Sequence, residues 1–482
     1  MDDGGRVPES GLSVEVGIPF VVAERVAGGG LGLLVIALFA YVKASLPRLL
    51  SVAIWLLGGR ACVERRLVAA GVPGSLSLSP RLAGLLARAA TEGRPVYLAS
   101  RWCSPLLQAL VALNPGLAGM IVVPRGLGSR RGAADVLQRF PDGYDAVLQR
   151  RGAVTIAWNA PPGALTRRIA IEMSDPAGDP ALAPVSVVRE LAWSLRLHQC
   201  VKNLLVLVPL VLSGRFMVLG EISEALVAFL ALSCVASGTY ILNDIWDVAD
   251  DRVHWSKKER PIASGRVSAA TALSLAALLI PAGLALAAAI SWSTCAALLA
   301  YLALTLAYSL YVKTVPFLDG FTLATLFTIR LGIGVASADA PPSPWLFVFS
   351  MFLFGSLSYA KRYTEISRAI VNKAHALKGR GYRPVDAPMV LTVGLAAGVG
   401  AVMIMVLYIV EEAFLKSFYG ATAWLWGFPP LVFLFVVRIW LVTVRGEMMD
   451  DPVAFAVRDR ASIGLLGLLL ICFGMAWLGS PL

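Results

Sequence analysis

Acids and bases crowd into one connector, Tyr240–Arg266, which reads YILNDIWDVADDRVHWSKKERPIASGR. Asn243, Asp244, Asp247 and Asp251 follow the spacing N-D-x-x-D-x-x-x-D. Positions three or four apart share one face of a helix. Asp244, Asp247 and Asp251 would then form a single carboxylate stripe, and like charges that close repel unless cations bind them. Carboxylates suit hard cations; Mg2+ typically takes one or two and lets substrate phosphates complete its shell. Arg252, Lys257, Lys258, Arg260 and Arg266 lie in the same connector, and such side chains suit phosphate oxygens. The segment can hold a Mg2+–diphosphate. Taken alone, it can equally be a solvated loop whose charges pair with one another.

The elements that must position this connector are apolar. The chain has 482 residues, 57% hydrophobic and 15% charged, with a mean hydropathy of +0.73. Soluble domains carry about 25% charged residues, so most of this chain belongs in a lipid bilayer. Nine apolar runs follow residue 185: 199–218, 222–241, 270–290, 291–310, 318–337, 343–360, 389–410, 422–443 and 461–479. A spanning helix needs about 20 such residues. The connectors after the second, fourth, sixth and eighth runs are basic, holding Arg252 to Arg266, Lys313, Lys361 to Arg383, and Arg445, Arg458 and Arg460. The opposite connectors hold only Arg215 and Lys416. The positive-inside rule makes the basic side cytoplasmic. The expectation is a multi-pass protein of the plasma (inner) membrane, with acidic connector and N-terminal domain in the cytoplasm and C-terminus outside.

The same loops account for the net charge of +11. No aromatic-plus-basic stacking pattern points to nucleic acid. The six cysteines are scattered without a CxxC, so they suggest neither a metal site nor a disulfide framework. The start, MDDGGRVPESG, is polar and acidic and does not read as a secretory signal.

Other basic-side residues can join the chemistry. Arg196, Gln199, Lys202 and Asn203 enter the first run, where snorkelling is the competing reading. Lys361, Arg362 and Glu365 follow the sixth run in KRYTEISR, where Glu365 can also simply pair with Lys361 one turn away. Asp450, Asp451, Asp459 and Arg460 precede the ninth, where a solvated loop is the simpler reading. Arg330 sits deep inside the fifth run. Intramembrane charges face the bundle interior and mark functional sites, or they neutralise a buried acid.

Together these motifs resemble the UbiA superfamily of intramembrane prenyltransferases, and within it the decaprenyl-phosphate phosphoribosyltransferase branch. The resemblance rests on R-x-x-Q-x-V-K-N at Arg196–Asn203, NDxxDxxxDRxHxxKxxRPIAxG at Asn243–Gly265 and Y-S-x-x-x-K at Tyr308–Lys313. KRYxE at Lys361–Glu365 and DPxxFAxRDR at Asp451–Arg460 extend it over residues 189–482. It implies an all-α bundle of nine transmembrane helices. It also implies Mg2+-dependent transfer of a phosphoribosyl group from 5-phosphoribosyl 1-diphosphate to a polyprenyl phosphate, releasing diphosphate. By this resemblance Asp244, Asp247 and Asp251 hold Mg2+ and are catalytic, with Asn243 supporting. Gln199, Lys202, Asn203, Arg252, Lys257, Arg260, Lys313, Arg330, Lys361, Arg362 and Glu365 form the phosphate-binding set. The sequence departs from the branch at Leu197 and Trp255, where Pro is usual, and at Cys200, where Trp is usual.

The alternative is a UbiA-type prenyltransferase that moves a prenyl group from a prenyl diphosphate to an aromatic or other small acceptor. Such enzymes generally carry a second DxxxD after the sixth span. Here Lys361–Ala387 holds one Asp, Asp386, and one Glu. A transporter is disfavoured because no internal repeat is visible and the charges cluster on one side rather than mid-bilayer. The sequence leaves room for a homo-oligomer.

Residues 1–185 form a separate domain by composition and 186–482 the transferase domain. Leu31–Tyr41 and Leu49–Leu57 are too short to span comfortably and are expected to lie on the membrane or pack in a soluble domain. From Arg81 helices and strands alternate, which predicts a small parallel α/β sheet with crossovers, and Glu172–Pro184 reads as a linker. This part resembles a haloacid-dehalogenase-like phosphatase domain. The nucleophile strand of that class would fall at Val14–Pro19, where Glu15 and Gly17 stand in place of the two Asp. Ser100, Arg130 or Arg131, and Asp142–Asp145 would stand for its other motifs. Without the Asp pair it has no nucleophile, so the resemblance implies an inactive domain.

Overall fold

The computed structural model describes residues 20–23, 30–44, 48–57, 59–76, 78, 80–127, 129–150, 153–159, 170–172, 187–254, 257–371, 380–448 and 451–479. Val14–Pro19, Trp255, Lys373, Lys378, Asp450 and the linker beyond Glu172 lie outside them. The chain forms two compact units: Met1–Arg196 with Tyr240–Ala277, and Leu197–Thr239 with Leu278–Leu482.

The first unit opens with β1 (Phe20–Ala23), α1 (Gly30–Ala44), α2 (Arg48–Leu57), α3 (Gly59–Ala69), α4 (Pro80–Thr91) and β2 (Val96–Ser100). It continues through α5 (Pro105–Leu113), β3 (Gly119–Val122), α6 (Arg130–Leu137), β4 (Tyr144–Arg150), β5 (Ala153–Asn159), β6 (Ala170–Glu172) and α7 (Val187–Ser194). The six strands lie in the order β3-β2-β1-β4-β5-β6. Side chains alternate across a strand. Phe20 and Val22 therefore meet α1, α3, α4 and α5 on one face, while Val21 faces Val136 of α6 on the other. Leu33, Leu34 and Ala37 of α1 belong to the first of these cores, so α1 packs within the domain. The apolar residues at the end of α2, Ile54, Leu56 and Leu57, are exposed.

The sheet corrects the parallel expectation. β1, β2, β3 and β4 pair in parallel, but β5 runs antiparallel to β4 and β6 to β5. The reason is β4, YDAVLQR, which the periodicity did not mark as a strand. It ends two residues before β5 begins. A connection that short closes a hairpin, whereas a parallel pair needs a crossover of a dozen or more residues.

The apolar elements that follow are α8 (Val208–Leu212), α9 (Leu219–Trp246), α10 (Val248–Val253), α11 (Ala269–Ile290), α12 (Trp292–Leu310) and α13 (Leu318–Ser337). Then come α14 (Pro344–Val371), α15 (Ala387–Glu411), α16 (Phe428–Val444), α17 (Pro452–Ala456) and α18 (Arg460–Leu478). Among the described residues seven helices are long and apolar enough to cross a membrane, or eight if the pair Val188–Ser194 and Gln199–Leu212 is one span. α14, 28 residues long, is apolar over 344–360 and charged beyond.

Two features of the second unit set its geometry. Gly394 of α15 lies where an added Cβ would meet Trp440 of α16 at 2.2 Å. Ser356 of α14 donates to the Gly394 carbonyl at 2.7 Å and accepts from Trp440 Nε1 at 2.9 Å. Small residues of this kind let membrane helices approach closely. The second feature is a 3-10 helix over Leu197–Leu207, far longer than the usual three or four residues. It packs on α13 so closely that a Cβ on Gly334 would sit 2.1 Å from the Val206 carbonyl oxygen.

Candidate active site

The carboxylate segment belongs to the first unit. α9 ends at Trp246 and α10 starts at Val248, with Asp247 at the break. Asp247 N still bonds the Asn243 carbonyl and Asp251 N the Asp247 carbonyl, so a helical repeat carries across. Asp244 and Asp251 are buried, at 4% and 2% exposure, and share one cation. Arg260 Nη1 lies 3.0 Å from Asp244 Oδ1 and 2.7 Å from Asp251 Oδ2. Burial pushes the Asp251 carboxyl up, and Arg260 opposes the shift.

Asp244 Oδ1 also receives Arg196 Nη2 at 2.5 Å. Arg196 is held with φ at 52°, a backbone region costly for a side-chain-bearing residue, and its guanidinium lies over the Tyr240 ring. Asp247 turns elsewhere, 3.5 Å from Lys43 Nζ of α1. The expected stripe is therefore split: Asp244 and Asp251 converge, and Asp247 faces a different cation. Asn243 is half-buried near the end of α9.

The bases downstream divide by role. Arg252 Nε donates to the Ala263 carbonyl at 3.0 Å and pins the following turn, and burial lowers its pKa to about 10. Arg266 reaches Glu190 of α7 at 2.9 Å. Lys257 is exposed on a short 3-10 turn.

Among the described residues, no group of three or more His, Cys, Asp or Glu side chains is gathered as a metal cage would be. The donor chemistry still fits a hard divalent cation. Two buried carboxylates converge on one point, balanced by Arg260 and Arg196, and that is the share a protein gives Mg2+ when substrate phosphates supply the rest.

The second unit holds a different group. Lys202, on the 3-10 helix, makes an ion pair with Asp451 at the N-cap of α17. Lys361, one residue past the apolar part of α14, is the third member. Burial lowers its pKa from 10.5 to about 8; Asp451 and Glu365 oppose that shift, and Arg362 and Lys202 add to it. Asp451 is held below the usual carboxylate range, because Lys202 and Lys361 outweigh the effect of burial.

An apolar cavity of about 470 Å³ is lined by residues of the same three elements, Leu205, Phe354 and Ala456, together with Val208, Val457 and Phe473. Side chains three apart eclipse on a 3-10 helix, so Lys202 and Leu205 share a face. Phe354 and Lys361 are seven apart, two turns along one face of α14. Three elements thus each carry both an ionisable side chain and a cavity-lining residue.

Three of the expected phosphate ligands are occupied inside the protein. Asn203, 2% exposed, donates to Ser233 at 3.1 Å and accepts from Arg330 Nε at 3.1 Å. Arg330 donates also to the Leu326 carbonyl at 2.6 Å and the Tyr301 hydroxyl at 3.2 Å. Arg362 is wholly buried against Asp319 and also pairs with Glu365. Gln199 is half-buried on the 3-10 helix, and Lys313 is half-buried beyond α12. Asp459 caps α18 and binds Arg438 through both oxygens, at 3.0 and 3.2 Å.

Three residues were not singled out as site residues from the sequence: Lys43, Asp319 and Tyr382. Asp319 and Arg330, two buried polar groups on apolar α13, show the available signal, namely ionisable residues in an apolar run. In the N-terminal domain Ser100 ends β2 and is buried. Asp145 opens β4 in register with Phe20 and binds Arg94 at 2.6 Å. It therefore sits at the N-terminal ends of the parallel strands, whereas ligands of such sheets bind at the carboxyl ends. That position overturns its reading as an acidic phosphatase motif. The Arg130 side chain lies outside the described residues.

Residues 206–457 match the model of the UbiA prenyltransferase family. A decaprenyl-phosphate phosphoribosyltransferase of Mycolicibacterium smegmatis is 30% identical over 318 residues, 64% of this chain and 97% of that protein. The chain belongs to the UbiA prenyltransferase family. As a UbiA-family transferase it is a multi-pass membrane protein. An uncharacterised protein of Sinorhizobium fredii is 32% identical over 413 residues, 84% of this chain and 80% of that protein. That similarity extends into the N-terminal domain. Among solved structures, a UbiA homologue from Archaeoglobus fulgidus bound to GPP and Mg2+ has a TM-score of 0.46 at 15% identity, covering 60% of this chain and 99% of that one.

Proposed function

We propose that this protein transfers a phosphoribosyl group from 5-phosphoribosyl 1-diphosphate to a polyprenyl phosphate, with Mg2+ as cofactor. The observation that carries the reading is that the elements bearing Lys202, Lys361 and Asp451 also line one apolar cavity. Two ammonium groups suit a phosphate head, and the cavity suits a polyprenyl tail.

In the reaction the anomeric C–O bond to diphosphate breaks and an oxygen of the acceptor's phosphate forms the new bond. Diphosphate leaves with the electron pair, and no proton need move. Asp244, Asp247 and Asp251 would hold the metal ion, which when bound neutralises charge developing on the leaving diphosphate. Arg260 and Arg196 orient the two buried carboxylates, and Lys257 offers an exposed cation to donor phosphate oxygens. Lys202 and Lys361 hold the acceptor's phosphate. Glu365 is engaged by Arg362 and Arg380, which supports one acidic site rather than the two of a prenyl-diphosphate enzyme.

The reading takes residues 343–360 and 199–218 as spans, for nine in all, with basic connectors on the cytoplasmic face of the plasma membrane. The N-terminal domain is taken as a phosphatase-like module without activity; turnover of p-nitrophenyl phosphate by the full chain with Mg2+ would overturn that assignment. The main test incubates purified protein with Mg2+, radiolabelled phosphoribosyl diphosphate and a polyprenyl phosphate. A labelled lipid is expected. Product formed instead from a prenyl diphosphate and an aromatic acid would replace this reading with the prenyltransferase one.

A further inference from the structure

The N-terminal domain lies outside the stretch matched by the family, yet its α1 touches the carboxylate segment directly. Lys43 Nζ lies 2.8 Å from Asp250 Oδ2, 3.5 Å from Asp247 Oδ1 and 3.4 Å from the Trp246 carbonyl. Phe39, four residues earlier, meets the Trp246 ring edge-on with centroids 6.0 Å apart. Gly32, seven residues before that, stands in van der Waals contact with Ser268 and Ala269, at 3.6 and 3.5 Å from its Cβ position. Spacings of seven and four put Gly32, Phe39 and Lys43 on one stripe of the helix. The opposite side of α1, with Leu33, Leu34 and Ala37, is buried in the core beneath the sheet. α1 is thus packed on both sides, and its connector-facing stripe spans from the motif to the start of α11. This anchoring separates Lys43 from an ordinary surface lysine, whose ion pairs are loosely held.

We propose that Lys43 is a resident counter-cation of the UbiA carboxylate motif, supplied by the N-terminal domain, and that a divalent cation must compete with it at Asp247. The domain then sets how much metal the transferase needs. The inference rests on the reading of Asp244, Asp247 and Asp251 as the metal site. An ammonium held at Asp247 lowers the negative potential that attracts a divalent ion. Its removal raises metal affinity, and an acid in its place raises it further.

The test uses the full-length chain in lipid nanodiscs and Mn2+ as probe, with bound metal read by electron paramagnetic resonance and folding checked by thermal shift. Lys43→Met is expected to tighten Mn2+ binding by roughly two- to fivefold, the scale of a half-exposed ion pair. Lys43→Glu should tighten it more, and Lys43→Arg should restore the wild-type value. Asp244→Asn/Asp251→Asn serves as the control that loses the ion. Wild-type affinity, or weaker binding, in both Lys43→Met and Lys43→Glu would overturn the role of Lys43 alone. A wild-type chain that binds no Mn2+, or binds it as well without Asp244 and Asp251, would overturn the metal reading and this inference with it.

Discussion

Arg362 Nε lies 2.7 Å from Asp319 Oδ2, and neither side chain has any exposed surface. The two atoms lack hydrogen-bond alignment, so the contact acts as charge against charge. Tyr382 donates to the other Asp319 oxygen at 2.7 Å, and Arg380 approaches at 3.6 Å. Tyr382 also accepts from Phe317 N at 2.7 Å, at a backbone φ of 64°. The network ties the start of α13 to the charged half of α14, which carries Lys361.

Asp319→Ala should be severely destabilising. It leaves a buried guanidinium without its main counter-charge, a change that costs about 3–5 kcal/mol. Thermal unfolding in detergent should show a large loss of stability. The double variant Asp319→Leu/Arg362→Met removes both charges and should recover much of that loss, because paired apolar replacement of a buried ion pair is often neutral. A double variant no more stable than Asp319→Ala would mean that the network holds the fold by some other contact.

The pairing also shows what the sequence could reveal. Arg362 was visible as a base in KRYTE, but its partner is a lone Asp at the head of an apolar helix, 43 positions earlier. No local spacing links them. The long helices of the bundle were legible because hydrophobicity is local and long, but the first run, 199–218, forms a 3-10 helix and the short α8 rather than one long helix. The strand β4 was not, because YDAVLQR has no clear alternation and its pairing is decided by β1 and β5. The carboxylates of the motif were legible by spacing; that Arg260 would join Asp244 and Asp251 while Asp247 turned to Lys43 was not, since it depends on α1.

The carboxylates themselves should be essential. Asp244→Asn keeps the shape and removes the charge, and Asp247→Ala removes a proposed metal ligand. Each is expected to lower kcat by about 10²-fold or more, the scale of losing one charge-stabilising group in a transfer reaction. Expression and thermal stability of Asp247→Ala should remain close to wild type, since its carboxylate is only half-buried. Near-normal turnover by both variants would remove the metal assignment.

Gly334 should not tolerate a side chain. An added Cβ would meet the Val206 carbonyl oxygen at 2.1 Å, and the 3-10 helix bearing Gln199 and Lys202 would have to move. Gly334→Ala is expected to cost about 1–3 kcal/mol. It should also raise KM for the polyprenyl phosphate more than it lowers kcat. A variant with wild-type stability and KM would show that this close approach does not position Lys202.

Lys361 should impose an alkaline limb on activity. Its pKa is lowered from 10.5 to about 8, so the folded protein releases this proton before the unfolded chain does. Below about pH 8 both states hold the proton, and the cost of burying the charge is present in full. Between about 8 and 10.5 the cost is progressively relieved, so this group makes stability rise with pH. Activity moves the other way, because the neutral amine no longer attracts phosphate. kcat/KM, which reports the free enzyme, should fall above about pH 8. Lys361→Arg should remove that limb, since a guanidinium stays charged. An unchanged limb in Lys361→Arg would assign the titration to another group.

Asp451 offers the sharpest test of the acceptor site. Its carboxylate pairs with Lys202 and feels the charge of Lys361, the two cations proposed to bind the acceptor's phosphate, and must be displaced or must share them. Asp451→Asn keeps a side chain able to cap α17, since Asn is as good a cap as Asp, while removing the competing charge. KM for the polyprenyl phosphate should then fall by roughly three- to tenfold, and inorganic phosphate should inhibit more strongly. Asp451→Ala loses the cap as well, so its stability should drop by about 1 kcal/mol while its KM still falls. A raised KM in Asp451→Asn would mean that the carboxylate positions the two lysines for substrate rather than holding their place.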